Sequence, residues 1–171
     1  MLKLKNGPDK EYWKKRYKHT WKSGNKREQT FKKLMESWGY TVIDFGFEAL
    51  SNEYNPNSPE EKGKPDFYIQ KDEHNVYFEI TGTDSKNVTN NDTVWIRPDK
   101  VAYVKKHEIV AFLVHILSAL GLMRFIDMRY IDESKLVYPT IRGAKETYIE
   151  INPSMLIEVN EFKGLLDSEL F

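Results

Sequence analysis

The stretch PDFYIQKDEHNVYFEIT, residues 65–81, decides how the chain folds. Two runs rich in aromatic and β-branched residues, Pro65–Gln70 and Asn75–Thr81, flank a polar turn at Asp72 and Glu73, which is the pattern of a β-hairpin. Centring the turn between Asp72 and Glu73 sets the register. Ile69 then faces Val76 and Phe67 faces Phe78, and these four share a side suited to a core. The other side carries Tyr68 against Tyr77 and Asp66 against Glu79. Facing Cβ atoms lie about 4.5–5.5 Å apart, where like charges are destabilising. Unless the hairpin is solvated and both acids simply face water, two such carboxylates need a shared proton or a cation. A hard divalent ion with oxygen ligands, magnesium above all, meets that need.

On the N-terminal side of the hairpin, Leu50 to Lys64 is polar, contains Pro56 and Pro59, and reads as a long loop. Tyr40 to Phe47 reads as a strand. Before it, Phe31, Leu34, Met35 and Trp38 follow the i, i+3, i+4, i+7 stripe of a core-facing helix that begins after Ser23-Gly24-Asn25. Glu28 lies at the edge of this stripe, either as an acid complementing the helix dipole or as a third carboxylate turned toward the sheet. A basic helix over about 9–22 places Trp13, Tyr17 and Trp21 among Lys14, Lys15, Arg16, Lys18 and Lys22.

On the C-terminal side, a polar loop, Gly82 to Thr93, leads to a short strand, Val94–Arg97, and Pro98 suits the first turn of a helix over Asp99–His107. Ile109–Leu117 has the composition of a buried strand or a buried helix. A strand is preferred because Ser118-Ala119-Leu120-Gly121 can turn it back into another, Leu122–Asp127. Thr147–Ile151 is a further strand. Asn152-Pro153 is expected to cap a last helix, about 153–168, with Leu156, Val159, Phe162 and Leu166 along one side.

The 171 residues suit a single domain over 1–171. The absence of cysteine excludes disulfides, thiolate zinc sites and cysteine nucleophiles. His19, His74, His107 and His115 show no ligand spacing. No secretory signal is visible and the longest apolar run, Ile109 to Leu117, is too short to span a bilayer, so a soluble, cytoplasmic protein with no membrane partner is expected. Net charge is zero, yet residues 1–40 hold 12 Lys and Arg against 4 acids, a net +8 that the remainder balances. A basic end on a neutral chain suggests a local anionic contact.

Glu28 on a helix, Pro65-Asp66 opening a strand and Glu79-Ile80-Thr81 ending the next together resemble the core of the PD-(D/E)XK nucleases. The order helix, four strands, helix, strand over roughly residues 24–117 is similar to that fold. With the Lys26-Arg27-Glu28 approach, it looks most like the archaeal and viral Holliday-junction resolvases. The resemblance implies an α/β, restriction-endonuclease-like domain with a central mixed sheet flanked by helices. It implies a DNA endonuclease dependent on Mg2+ or Mn2+, acting on branched DNA as a homodimer. By matching position, Asp66, Glu79 and the backbone carbonyl of Ile80 would bind the metal, with Glu28 joining directly or through water. Lys26 and Arg27 would join the basic helix in contacting DNA.

One residue departs from the pattern. The lysine of the family falls at Thr81, whose hydroxyl supplies no positive charge. Either Lys100, opening the helix after the fourth strand, takes the catalytic part, or the protein is a catalytically impaired DNA-binding module on the same fold.

The basic helix either grips the DNA backbone or buries its aromatic side against the domain or a second subunit. If it grips DNA, removal of residues 1–22 weakens binding to all sequences alike and flattens the salt dependence. If it is packed instead, the truncated protein unfolds or aggregates. A folded truncation with unchanged affinity and salt slope, measured by fluorescence anisotropy, excludes both.

Overall fold

The computed structural model describes residues 25–46 and 62–168. The basic aromatic segment with Lys14, Lys15, Arg16, Lys18 and Lys22, and most of the 50–64 loop, lie outside these residues.

Helix α1 runs over 25–37 and buries Phe31 and Met35 completely, with Leu34 and Trp38 packed at the margin. The expected strand after it is only two residues long, β1 (Ile43–Asp44). Beyond it the amides of Phe45 and Gly46 both donate to the Asp66 carbonyl, at 2.9 and 3.3 Å, so the ladder gives way to a bend. The hairpin of β2 (Phe67–Lys71) and β3 (His74–Thr83) has the register its turn sets, with Phe67 opposite Phe78, Tyr68 opposite Tyr77 and Ile69 opposite Val76. Phe67, Ile69, Val76 and Phe78 are all at most 4% exposed, which confirms the core face.

After β4 (Val94–Ile96) and α2 (Pro98–His107) the chain returns as β5 (Val110–Leu117), a strand rather than a helix. It pairs with β3 in parallel from Val76↔Val110 to Thr83↔Leu117. Here Gly82, at a φ of 141°, lies against β5 so tightly that a Cβ would sit 1.9 Å from the Ile116 carbonyl oxygen. A short 3-10 turn, Ser118–Leu120, then leads into antiparallel β6 (Leu122–Asp127). β4 does not join this sheet. It pairs with β10 (Tyr148–Ile151), which also pairs with β7 (Leu136–Val137), in a separate three-stranded sheet. A small ribbon of β8 (Thr140–Ile141) and β9 (Ala144–Lys145) lies between β7 and β10 in sequence.

The C-terminal helix begins later than its capping signal suggests. The Asn152 side chain accepts from the Ser154 amide and caps only a 3-10 turn, Pro153–Met155. Leu156 is then drawn into the core, and β11 (Ile157–Glu158) pairs with the outer edge of β6 before α3 (Val159–Asp167) starts. Pairing the backbone of 157–158 to a sheet edge and burying Leu156 both require extended chain, and these demands override the helical pattern.

The six-stranded sheet, ordered β1-β2-β3-β5-β6-β11, is mixed because only β3 and β5 run parallel. One face meets α1 and α3 around Phe78, Phe112, Val114 and Phe125. The other packs Ala111, Leu113 and Ile126 against Val101 and Val104 of α2 and against the small sheet. The restriction-endonuclease-like α/β order is therefore present, with α2 lying across the face that carries the odd-numbered residues of β3.

Phe162 joins α3 to the first face. It is fully buried, stacks on Phe125 at 4.0 Å and 5°, and meets Phe112 edge-on at 5.0 Å. Phe162→Ala is expected to cost about 3–5 kcal/mol, the usual range for removing a buried aromatic. Urea unfolding monitored by circular dichroism checks this.

Candidate active site

The hairpin register brings Asp66 and Glu79 to one place, but by a different route from a ladder pair. The ladder ends at Phe67↔Phe78, so Asp66 stands just outside β2. Its carboxylate turns onto the β3 backbone, with Oδ2 accepting from the Ile80 amide at 2.8 Å. In an extended strand a residue's N–H and C=O point to the same side. The Ile80 carbonyl therefore shares the edge from which its amide reaches Asp66.

Glu79 is 9% exposed and lies on the α2 side of the sheet. Lys100 comes to it from the first turn of α2, with Nζ 3.1 Å from Glu79 Oε2. The ammonium also donates to the Lys64 carbonyl at 2.9 Å. The segment around Lys64 is pressed onto the start of α2. At Gly63, where φ is 90°, a Cβ would lie 2.2 Å from the Asp99 carbonyl oxygen. Arg97 and Asp99 form a forked ion pair beside it, at 3.0 and 2.7 Å.

Electrostatically the group is an acid pair in a poorly solvated corner. Burial, then the charge of Asp66, pushes the Glu79 carboxyl up to about 8, while Lys100 and Arg97 act the other way. Burial likewise raises Asp66, against the pull of Lys100 and the Ile80 amide. Burial alone would lower Lys100, but Glu79 and Asp66 outweigh it and hold the ammonium above its ordinary value.

Glu79 Oε2 is buried and close to Lys100, yet it accepts no well-aligned hydrogen bond. A buried acceptor without an aligned donor, beside a second carboxylate and an outward-facing carbonyl, is an all-oxygen donor set. That set suits a hard divalent cation, with water completing the coordination. Asp66, Glu79 and the Ile80 carbonyl would hold it.

Other expected site residues are placed differently. Glu28 is half-buried on α1, and among the described residues no three His, Asp or Glu side chains gather into a ligand set, so Glu28 is not brought into one with Asp66 and Glu79. Lys26 is exposed on α1, and Arg27 bonds to Asp84 at 3.1 Å. Thr81 is the register partner of His115, whose Nδ1 lies 3.4 Å from Arg124 Nη2. Burial, then Arg124 and Arg27, lowers His115 to about 4, so the ring is neutral at ordinary pH. Arg124 itself is tied to the Asn90 carbonyl at 2.8 Å. Two contributors escape sequence reasoning. Lys64 acts through its backbone, which leaves no side-chain signature, and the approach of Arg97 depends on where α2 packs.

No protein-family model matches the sequence, and no curated protein matches it. Solved structures do match. One is Hjc, a Holliday junction resolvase from the archaeal hyperthermophile Archaeoglobus fulgidus. It has 14% identity and a TM-score of 0.50, over 81% of this chain and 98% of that one. Another is D212, a nuclease from a fusselovirus, with 16% identity and a TM-score of 0.46 over 83% of this chain and 85% of that one. The chain has the mixed α/β fold of the archaeal resolvase. Among the described residues no helix is long and apolar enough to cross a membrane.

The acid pair makes stability depend on pH. Unfolded glutamate loses its proton near 4.5, whereas native Glu79 keeps one until about 8. Between these values the native state binds more protons, so metal-free stability falls as pH rises through this window. Raised Asp66 contributes in the same direction. Denaturant midpoints measured from pH 4.5 to 8 without metal should show this decline, and Glu79→Gln should remove much of it.

Proposed function

We propose that the protein is a divalent-metal-dependent endonuclease that hydrolyses DNA phosphodiester bonds, with branched DNA as its substrate class. One observation carries this reading: an ammonium stands beside the carboxylate pair although the strand position for it holds Thr81. Lys100 reaches Glu79 from a separate helix, 3.1 Å away, and restores the two-acid, one-lysine composition. The fold is that of a Holliday junction resolvase, which supports DNA as the substrate and branched DNA as its form.

In this reading Asp66 is fixed by the Ile80 amide through one oxygen, while Glu79 presents Oε2 beside the Lys100 ammonium. A divalent ion held there, Mg2+ or Mn2+, supplies Lewis acidity and a bound water of lowered pKa. Glu28 would contribute through an intervening water. Lys100, anchored on the Lys64 carbonyl, places positive charge where the scissile phosphate gathers negative charge in the transition state. The half-buried setting keeps that charge effective by limiting screening.

Thr81 also favours a second reading, a DNA-binding module that has lost cleavage, and the same experiment separates the two. Linear, flapped and four-way DNA are incubated with the protein and Mg2+ or Mn2+. The parent should cleave, with four-way DNA preferred. Lys100→Ala should stay folded and cleave at least ~100-fold more slowly, the scale seen when one preorganised electrostatic stabiliser is removed. A variant as fast as the parent refutes the role given to Lys100. A parent that binds DNA but cuts no substrate with either metal establishes the binding module.

A further inference from the structure

Lys100 makes two contacts of unequal quality. Its hydrogen bond to the Lys64 carbonyl is 2.9 Å long. Its approach to Glu79 Oε2 is 3.1 Å, an ion pair outside full hydrogen-bond geometry that still acts on the Glu79 carboxyl as a hydrogen bond does. The ammonium is therefore held by a neutral carbonyl as well as by the carboxylate. The anchor sits in a close approach, since a Cβ at Gly63 would lie 2.2 Å from the Asp99 carbonyl oxygen. The two buried acids, by contrast, need a proton or a cation beside them whenever no metal is bound.

We infer that Lys100 is a displaceable counter-cation, which neutralises the Asp66–Glu79 pair in the metal-free protein and yields Glu79 Oε2 to an incoming divalent ion while staying on the Lys64 carbonyl. This rests on the metal-dependent reading above and adds to it an antagonism between Lys100 and the metal. The ion enters a site that already holds a positive charge, so its affinity is reduced in exchange for an acid pair that remains compensated when empty. Arg97 adds a second positive charge in the same neighbourhood, but its guanidinium is engaged by Asp99.

The consequence is opposite to that of an ordinary supporting residue, whose loss weakens ligand binding. Titration calorimetry with Mn2+ at neutral pH, without DNA, tests it. Lys100→Met and Lys100→Gln should each bind Mn2+ at least ~10-fold more tightly than the parent, a difference of about 1.4 kcal/mol. The glutamine variant retains a donor for the Lys64 carbonyl and guards against misfolding of the methionine variant. Asp66→Asn should lose most of its affinity. Binding by both lysine variants that is no tighter than the parent's overturns the inference and leaves the metal reading standing. No Mn2+ binding by the parent or the lysine variants overturns both.

Discussion

The parallel pairing of β3 with β5 is the constraint from which the rest of the arrangement follows. Antiparallel neighbours can be joined by a tight turn, whereas parallel neighbours need a crossover that carries the chain back to the starting edge. Residues between Thr83 and Val110 make that journey, and they must do so over one face of the sheet. β4 and α2 are the elements they form, and the small sheet grows on β4. α2 starts beside the part of β3 that carries Glu79, because the chain must descend along its length to begin β5 opposite Val76. The acid pair is a product of the hairpin, but the ammonium is delivered by the crossover.

Much of this was legible in the sequence where a local rule had no competitor. The hairpin could be read to the residue because alternation and a polar turn specify one register, and a slip would expose Phe67, Ile69, Val76 and Phe78. The helices α1 and α2 were equally clear, since the apolar stripe and Pro98 mark them. Ile109–Leu117, by contrast, reads as strand or helix until its turn into Leu122–Asp127 favours a strand. Legibility failed where tertiary demands prevailed. Tyr40–Phe47 has strand composition, but among its described residues only Ile43 and Asp44 pair in the ladder. Asn152 is a sound cap signal spent on a single 3-10 turn, because Leu156 and Ile157 are wanted in extended form. Strands of two residues such as β7, β8 and β9 are too short to show any period.

The site divides in the same way. Asp66 and Glu79 were identifiable as a pair, while their actual contact differs, since Asp66 bonds the Ile80 amide rather than completing the ladder. The position of Lys100 beside Glu79 depended on helix-to-sheet packing, which sequence spacing suggests only once the fold is known. Its location has a cost that the structure offsets. A cation in the first turn of a helix opposes the dipole, typically by about 0.3–1 kcal/mol. Asp99 in the same turn, the Lys64 carbonyl and Glu79 all act against that penalty.

Lys100 reaches Glu79 from a helix, and this sets the mechanical character of their contact. Side chains two residues apart on one strand move together, and the spacing of their backbones is fixed by bond lengths and pleat. Glu79 and Lys100 instead belong to different layers, held at their distance by Val101 and Val104 of α2 lying on Leu113 and Ala111 of the sheet. That distance is thus a packing quantity, open to adjustment by single methyl groups far from any charge. A chemical group whose geometry resides in the fit of two layers can be retuned by the apolar interior, with every polar residue left unchanged.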